Sequence, residues 1–341
     1  MIRAHLRPVV LCLVVVFFAL GWTATAWADE PVVAPSKLAH TYSIVARDAE
    51  TGEMGVAVQS HWFSVGGSSV AWAEAGVGAV ATQSFIEVSY GPLGLDLMRA
   101  GKTAPEALKA LLAADPHPEV RQVAMVDRHG NVAVHTGESC IVAAGHQEGE
   151  GYSVQANLMA QDTVWGAMAK AYENADGDLA ERLMAALGAA EKEGGDIRGR
   201  QSAAILVVPG VSEGAPWRER TVDLRVDDHA EPLVELRRLL NVHRAYVHMD
   251  EGDGHMAEND VEAALGSYAA AAELQPDNVE IRYWTAVTMA GAGRLEEALP
   301  IFRQVFAEER RWHELTPRLL PSGLLPDDAE MLKKILAQGE D

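Results

Sequence analysis

The chain has 341 residues, of which 48% are hydrophobic, 23% charged and 6% aromatic. This composition is typical of a globular protein and argues against a disordered, collagen-like or coiled-coil chain, and the length allows about two domains. The 49 acidic residues outnumber the 28 basic ones and give a net charge of -21. A nucleic-acid or anionic-membrane partner is therefore not expected, because both need a basic protein face.

The first 28 residues have the three parts of a signal peptide. Arg3 and Arg7 form a basic start, residues 9–20 are an apolar run of 12 residues, and residues 26–28 read Ala-Trp-Ala. Signal peptidase recognises this small-x-small pattern, and the apolar run is shorter than the ~20 residues of a membrane span. We predict cleavage before Asp29, a periplasmic or secreted protein, and no membrane contact after cleavage. An uncleaved anchor is the alternative.

The mature chain then contains a single cysteine. Cys12 leaves with the signal peptide, so Cys140 has no intramolecular disulfide partner. Cys140 precedes the apolar pair Ile141-Val142, which favours a buried structural thiol over a nucleophile.

The region 41–230 alternates groups of strands with pairs of helices. Residues 29–40 contain Pro31 and Pro35 and are predicted to be a linker or pro-segment. Thr103 precedes Glu106 by three residues, the spacing of a helix-capping box, and so does Asp178 precede Glu181. The predicted strands are 42–47, 54–59, 76–82, 123–126, 132–135, 152–159, 202–208 and 221–226, and the predicted helices are 91–100, 103–113, 163–174 and 178–191. Grouped strands predict layered α+β rather than a doubly wound parallel sheet.

The region 231–341 contains a helical repeat. Residues 260–268 and 294–302 are similar at an offset of 34 residues, which is the period of the tetratricopeptide repeat. Residues 237–247 and 326–337 could form flanking helices that complete the stack, or the preceding domain could cover one end of it. The region forms either a groove for a protein partner or a helical accessory that stabilises or dimerises the protein, so a homo-oligomer is also open. The acidic run 250–255 is predicted to be an interhelical turn, and no metal site is expected because Gly252 stands where a calcium loop needs an oxygen ligand.

Thr41 opens the first predicted strand directly after the linker. A threonine with a free α-amine can act as nucleophile and base at once, because its hydroxyl attacks while its amine accepts the proton. The pKa of an α-amine is about 7.7–8.0, against about 10.4 for a lysine, so this amine is a usable base at neutral pH. The alternative is an ordinary strand threonine.

Five sequence blocks in order resemble a bacterial family of unknown function whose members are assigned to the N-terminal nucleophile (Ntn) hydrolase superfamily. The blocks are Thr41–Asp48, Gly55–Ser60, Trp72–Gln83, Val154–Leu158 and Gly195–Ala203. The resemblance implies a four-layer αββα sandwich and a threonine nucleophile that matches Thr41. Cytosolic members start Met-Thr, whereas here twelve residues separate the predicted signal-peptide cleavage site from Thr41, so a second cleavage between His40 and Thr41 is needed. Similar chains carry a C-terminal tail described as peptidoglycan-binding.

Three further polar residues are candidates for the catalytic site. Asn157 follows a predicted strand and could donate an amide N–H to an oxyanion. Ser43 lies on the same strand face as Thr41 and could be an auxiliary hydroxyl. Asp48, at the end of that strand, could orient the amine of Thr41. No auxiliary lysine follows Thr41 in the strand-rich blocks.

Four residues are candidates for substrate binding. Asp196, Arg198 and Arg200 lie in a glycine-rich loop, where an arginine could bind a substrate carboxylate through two hydrogen bonds. His61 could line the entrance. For each of them, the alternative is a structural ion pair or turn hydrogen bond.

Two functions therefore stay open. The first is an exported Ntn-type amidohydrolase that cleaves a small amide or a peptidoglycan-like substrate and needs no cofactor. The second is a non-catalytic Ntn-like scaffold that binds cell-wall material or a protein through its helical tail. A free α-amine on Thr41 distinguishes them.

Overall fold

Two β-sheets and ten α-helices make up the part of the chain that the structure, a computed structural model, describes: residues 38–39 and 41–339. The predicted signal peptide lies outside the described residues, as does nearly all of the linker. The strands are β1 (Leu38–Ala39), β2 (Thr41–Arg47), β3 (Met54–Ser60), β4 (Ala71–Glu74), β5 (Gly78–Phe85), β6 (Arg121–Asp127), β7 (Val132–Thr136), β8 (Gly145–Gly149), β9 (Tyr152–Ala156), β10 (Ser202–Val208) and β11 (Val222–Val226). The helices are α1 (Tyr90–Arg99), α2 (Ala104–Ala114), α3 (Val164–Asn174), α4 (Leu179–Lys192), α5 (Pro232–Ala257), α6 (Val261–Leu274), α7 (Val279–Gly291), α8 (Leu295–Glu308), α9 (Arg311–Leu315) and α10 (Ala329–Leu336).

Both sheets are antiparallel, which confirms the predicted α+β class. The first sheet has the order β1-β5-β6-β7, with β4 also paired to β5, and the second has the order β11-β10-β3-β2-β9-β8. The predicted hairpins are present as β2–β3 and β6–β7. The sequence patterns missed β8, because this edge strand carries the exposed polar run His146-Gln147-Glu148 and has no apolar alternation.

Apolar side chains fill three successive interfaces. Helices α1 and α2 pack on the first sheet through Leu95 and Leu108, and α3 and α4 pack on the second through Met168 and Leu183. Between the two sheets, the alanines of β5 and β6 face the valines of β3. Pairing small residues with larger ones lets two sheets interdigitate at the usual separation of about 10 Å.

The alternation along β2 decides where its polar residues point. Tyr42 and Ile44 belong to the core that faces α3 and α4, whereas Val45 belongs to the core between the sheets. Because side chains alternate along a strand, Thr41 and Ser43 face the first sheet together with Val45. The two residues are therefore enclosed between the sheets.

The C-terminal region is entirely helical from α5 onward. The 26-residue α5 runs through the acidic run 250–255, so the predicted interhelical turn is wrong there. Gly252 lies within this run and contacts α6. A Cβ at this position would lie 2.3 Å from the ring of Tyr268, so the absence of a side chain allows α5 and α6 to pack closely. Across the described residues, no helix is both long enough and apolar enough to cross a bilayer.

Candidate active site

Thr41 is fully buried at the start of β2. Its hydroxyl Oγ1 donates to Oγ of Ser60, 3.1 Å away. Ser60 is directly opposite Thr41 on β3 and directly opposite Ser202 on β10. Residues opposite one another in antiparallel strands share a face, so the three hydroxyls form a row across the second sheet.

Two amide side chains hold the main chain of Thr41. Its carbonyl oxygen accepts hydrogen bonds from the backbone N–H of Asn157 at 3.1 Å, from Nδ2 of Asn157 at 3.4 Å and from Nε2 of Gln83 at 3.1 Å. Asn157 is itself fully buried. In this structure its amide group positions the first residue of β2, where the sequence predicted an oxyanion donor.

A buried amide network fills the space between the sheets at this end. Ser43 Oγ donates to Gln83 Oε1 at 2.7 Å and accepts from Gln155 Nε2 at 2.6 Å. Gln122 Oε1 accepts from both Gln83 Nε2 at 2.6 Å and Asn157 Nδ2 at 2.8 Å. Buried polar groups destabilise a fold unless they are hydrogen-bonded, so the network restricts each side chain to one position.

The glutamines of this network were not singled out from the sequence. Gln83, Gln122 and Gln155 each border or interrupt an apolar run of their strand at a position that faces the other sheet. That interruption is the available signal, since a glutamine rarely lies in a strand core without several partners.

Asp196 joins two loops at the end of the sandwich that holds Thr41. Its buried carboxylate accepts from the backbone N–H of His61 at 3.2 Å and of Arg198 at 2.9 Å. Arg198 also donates to it through Nε at 3.0 Å and Nη2 at 2.6 Å. The guanidinium is thus held in a two-point ion pair, the structural role that the sequence left open as the alternative.

Arg200 is the centre of a second group of charges. It pairs with Glu191 of α4 and with Glu231. Glu191 Oε2 also accepts from the hydroxyl of Tyr42 at 2.8 Å and from Nε2 of Gln59 at 3.0 Å. Burial, followed by the charge of Glu191, raises the pKa of Tyr42 well above its ordinary value, so this hydroxyl remains a donor.

Asp48 lies at the other end of β2 and does not contact Thr41. The seven residues of β2 at ~3.3 Å per residue separate them by about 20 Å. The Asp48 carboxylate caps the β2–β3 turn instead, accepting from the backbone N–H groups of Glu50 at 2.9 Å and Thr51 at 2.8 Å. Burial opposes its ionisation, but the hydrogen bonds from Thr51 and Glu50 keep the pKa of Asp48 below its ordinary value. The predicted role in orienting the amine does not fit this position.

Several residues at the end of the sandwich that holds Thr41 have a strained backbone. Four non-glycine residues in the surrounding loops and strand ends have left-handed φ values: Ser64 at 55°, Ser84 at 71°, Ala143 at 58° and Leu158 at 58°. Such conformations cost of order 1 kcal/mol or more each and cluster at functional sites. The end of the sandwich that holds Thr41 is therefore the best candidate for an active site.

Cys140 is buried near this end. Its Sγ donates to the carbonyl of Arg121 at 3.4 Å, and burial raises the pKa of the Cys140 thiol. A protonated, buried thiol is a poor nucleophile. Across the residues that the structure describes, no group of three or more His, Cys, Asp and Glu side chains is arranged to hold a metal ion.

The fold and this site define a mixed α+β protein with two antiparallel sheets and a helical repeat region. The chain belongs to the family of unknown function DUF1028, whose model matches residues 41–236, and a tetratricopeptide-repeat model matches residues 249–308. Protein SPO2555 from Silicibacter pomeroyi, a DUF1028 protein of known crystal structure, is similar to it. The two are 32% identical over 59% of this chain and 88% of SPO2555, with a TM-score of 0.53. None of the curated proteins matches the chain significantly.

Proposed function

We propose that the protein is an exported amidohydrolase of the Ntn type, with Thr41 as its nucleophile once the preceding segment is removed. The observation that carries the proposal is the position of Thr41: it opens a central strand, its hydroxyl contacts Ser60, and three hydrogen bonds hold its carbonyl. The packing of α1 and α2 on one sheet and of α3 and α4 on the other supports a four-layer αββα sandwich.

The chemistry follows from a free N-terminus at Thr41. Cleavage between His40 and Thr41 gives an α-amine beside the hydroxyl. Oγ1 attacks the substrate carbonyl carbon while the amine takes the hydroxyl proton. A backbone N–H stabilises the oxyanion, or the amide of Asn157 does so by exchanging one of its present acceptors. The amine returns its proton to the leaving nitrogen, and an ester to Thr41 forms. Water, activated by the same amine, then hydrolyses the ester and restores Thr41.

The buried network has a positioning role in this proposal. Gln83 and Asn157 fix the carbonyl of Thr41, so the hydroxyl and the new amine keep one orientation toward the substrate. Pre-positioned reacting groups avoid an entropic cost during the reaction. Arg198 lies in the loop after Asp196 and would bind a substrate carboxylate by exchanging its ion pair with Asp196, with Arg200 as the alternative.

The experiment compares three chains that start at residue 41: wild type, Thr41→Ala and Thr41→Ser. They are assayed on small amides and peptidoglycan fragments. We expect turnover by wild type and by Thr41→Ser, which keeps a hydroxyl, and a loss of at least about 1000-fold for Thr41→Ala, since the nucleophile is absent. Equal turnover by wild type and Thr41→Ala would remove Thr41 as the nucleophile.

The second candidate function is a binding module, and a cavity in the helical region favours it. The cavity has a volume of about 520 Å³ and is lined mainly by apolar side chains, including Met256, Trp284 and Leu324. Tetratricopeptide repeats present grooves of this kind to partners. If neither the wild-type chain nor the Thr41→Ala variant turns over any substrate, but both bind wall fragments or a protein through this region, the binding module is the correct function.

A further inference from the structure

Two segments of the chain share one edge of β5. β6 pairs along the opposite edge, whereas β4 pairs with residues 78–81 and β1 pairs further along, Leu38 opposite Phe85 and Ala39 opposite Ser84. Leu38 and Ala39 thus extend the first sheet by one short strand.

This edge lies beside the candidate nucleophile. Gln83, the residue before Ser84, donates to the carbonyl of Thr41 at 3.1 Å. A segment that pairs with Ser84 and Phe85 therefore lies close to Thr41. In this structure that segment is β1. The chain continues from β1 through His40 to Thr41, and the proposed activation cleaves the bond between His40 and Thr41.

Removal of that segment leaves this edge of β5 without its neighbouring strand, while the carbonyl of Phe85 still accepts from Nη1 of Arg121 at 2.7 Å. Free N–H and C=O groups on a sheet edge bind extended peptides by strand addition. A small amide has too little backbone to form such pairing. The geometry of the edge therefore favours a peptide over a small amide.

Two exposed apolar side chains lie at the same end of the sandwich. Phe63 is 62% exposed and Ile197 is 64% exposed. Their loops are joined by Asp196, which accepts from the backbone N–H of His61 and precedes Ile197. Exposed apolar side chains often mark interaction sites, and these two would contact apolar side chains of the bound peptide.

We infer that the substrate is an extended peptide with apolar side chains, which pairs with Ser84 and Phe85 in the position that β1 occupies in this structure. The inference rests on the proposed unmasking of Thr41. Its test measures binding and not turnover, so the two proposals can fail separately.

The probe is a fluorescently labelled peptide of residues 31–40, Pro-Val-Val-Ala-Pro-Ser-Lys-Leu-Ala-His. Its anisotropy is measured with chains that start at Thr41, as wild type and as Thr41→Ala, and with the chain that starts at Asp29. The matched control peptide is N-methylated at the leucine and at the second alanine. Neighbouring residues of a strand point their N–H groups to opposite edges, so the two methyl groups remove the one donor that faces β5 and keep the side chains. Circular dichroism and thermal unfolding establish that each chain is folded.

We expect both chains that start at Thr41 to bind the peptide at least about 10-fold more tightly than the Asp29 chain, where the tethered leader competes at an effective concentration of order mM. The N-methylated peptide should lose this affinity. The double substitution Leu38→Pro and Ala39→Pro in the Asp29 chain should open the site, whereas prolines at Val32 and Val33 should not. A folded Thr41 chain that fails to bind, or that binds both peptides equally, would overturn the inference. Binding without turnover would support the peptide-binding edge at Ser84 and Phe85 and remove the hydrolase proposal.

Discussion

At the scale of single residues, the site is defined by amides and hydroxyls with several partners each. Gln122 is the most connected: it accepts from Gln83 and Asn157 and donates from Nε2 toward the Thr136 hydroxyl and the Ala156 carbonyl, both at 2.9 Å. It lies between the sheets with no exposed surface. The side chain of Gln122 therefore adds a hydrogen bond between the paired strands β6 and β7. It also links β6 to β9, which belongs to the other sheet.

Gln122→Ala should lower the free energy of unfolding by about 2–4 kcal/mol. The truncation leaves a cavity and removes the acceptor of two buried amides, and both effects are costly. Urea unfolding monitored by circular dichroism measures the change. The control is Gln147→Ala on the exposed edge strand β8, which should change stability by less than about 0.5 kcal/mol. Equal effects of the two substitutions would contradict the structural role of the network.

At the scale of elements, α5 connects the two parts of the described chain. Its first turns pack on α4, where Arg237 donates to both oxygens of Glu181 at 2.5 and 2.6 Å and Arg244 pairs with Glu181 and Asp178. Its last turns pack on α6 at Gly252. One uninterrupted helix thus belongs to both the α+β region and the repeat region.

Two glycines of α5, two residues apart, should respond to alanine in opposite ways. A Cβ on Gly252 would meet the Tyr268 ring, so Gly252→Ala should destabilise the protein by about 1–3 kcal/mol. A Cβ on Gly254 would have no tertiary neighbour within 4 Å among the described residues, so Gly254→Ala should stabilise the protein by up to about 1 kcal/mol through helix propensity. Thermal unfolding of the two variants tests the close packing of α5 on α6. A stabilising Gly252→Ala would show that the helices do not meet there.

The Glu181 ion pairs should make stability depend on acid pH. Burial opposes ionisation of Glu181, but hydrogen bonds from Arg237 and Arg244 lower its pKa in the folded protein. A carboxylate with a lowered folded pKa contributes its full stability above the unfolded value of about 4.3 and loses it as the pH falls through the folded value. The free energy of unfolding should therefore fall more steeply on acidification below about pH 5 in wild type than in Glu181→Gln.

Urea titrations at a series of pH values measure this slope. The control is a double-mutant cycle in which Arg237→Gln and Arg244→Gln are combined with Glu181→Gln. In the arginine-free background, Glu181→Gln should alter the slope much less. An identical slope in wild type and Glu181→Gln would argue that the arginines do not stabilise the ionised carboxylate.

At the scale of the whole molecule, the proposed hydrolase activity depends on where the mature chain begins. In the described structure Thr41 is internal and fully buried, and β1 precedes it on the neighbouring sheet. A threonine inside the chain has no α-amine and lacks the base that the proposed mechanism uses. Processing of the N-terminus is therefore the step that separates the hydrolase from the binding module.

Protein isolated from its native host should begin at Asp29 after signal cleavage, and at Thr41 once activated. N-terminal sequencing and intact mass, carried out on separated periplasmic, secreted and cytosolic fractions, measure both sites. A mature protein that keeps Met1 in the cytosolic fraction would contradict export. Cleavage at Asp29 alone, in every fraction and growth condition, would favour the binding module.

Local patterns in the sequence determined the class of fold. Loose alternation in 42–47, the turn residues Thr51-Gly52 and the second strand-like run 54–59 predicted a hairpin, and the structure forms it as β2 and β3, because a hairpin depends on residues that are neighbours in the sequence. The 34-residue offset predicted the helical repeat for a similar reason, since each repeat carries its own packing positions. The extension of α5 through residues 250–255 was missed because Gly252 packs against Tyr268 of α6, a contact that the local sequence does not show.

The partners of each site residue were decided only by the tertiary structure. From the sequence, Asp48 was a candidate to orient the amine of Thr41, and Asn157 was a candidate to donate to the oxyanion. The folded chain brings Asn157 from 116 residues away onto the Thr41 carbonyl and leaves Asp48 at the far end of the same strand. The stacking of the two sheets likewise brings Gln83 and Gln122 together with Thr41 from strands far apart in the chain. Hydrogen bonds between distant strands depend on register and layer packing, and no local residue pattern encodes either one.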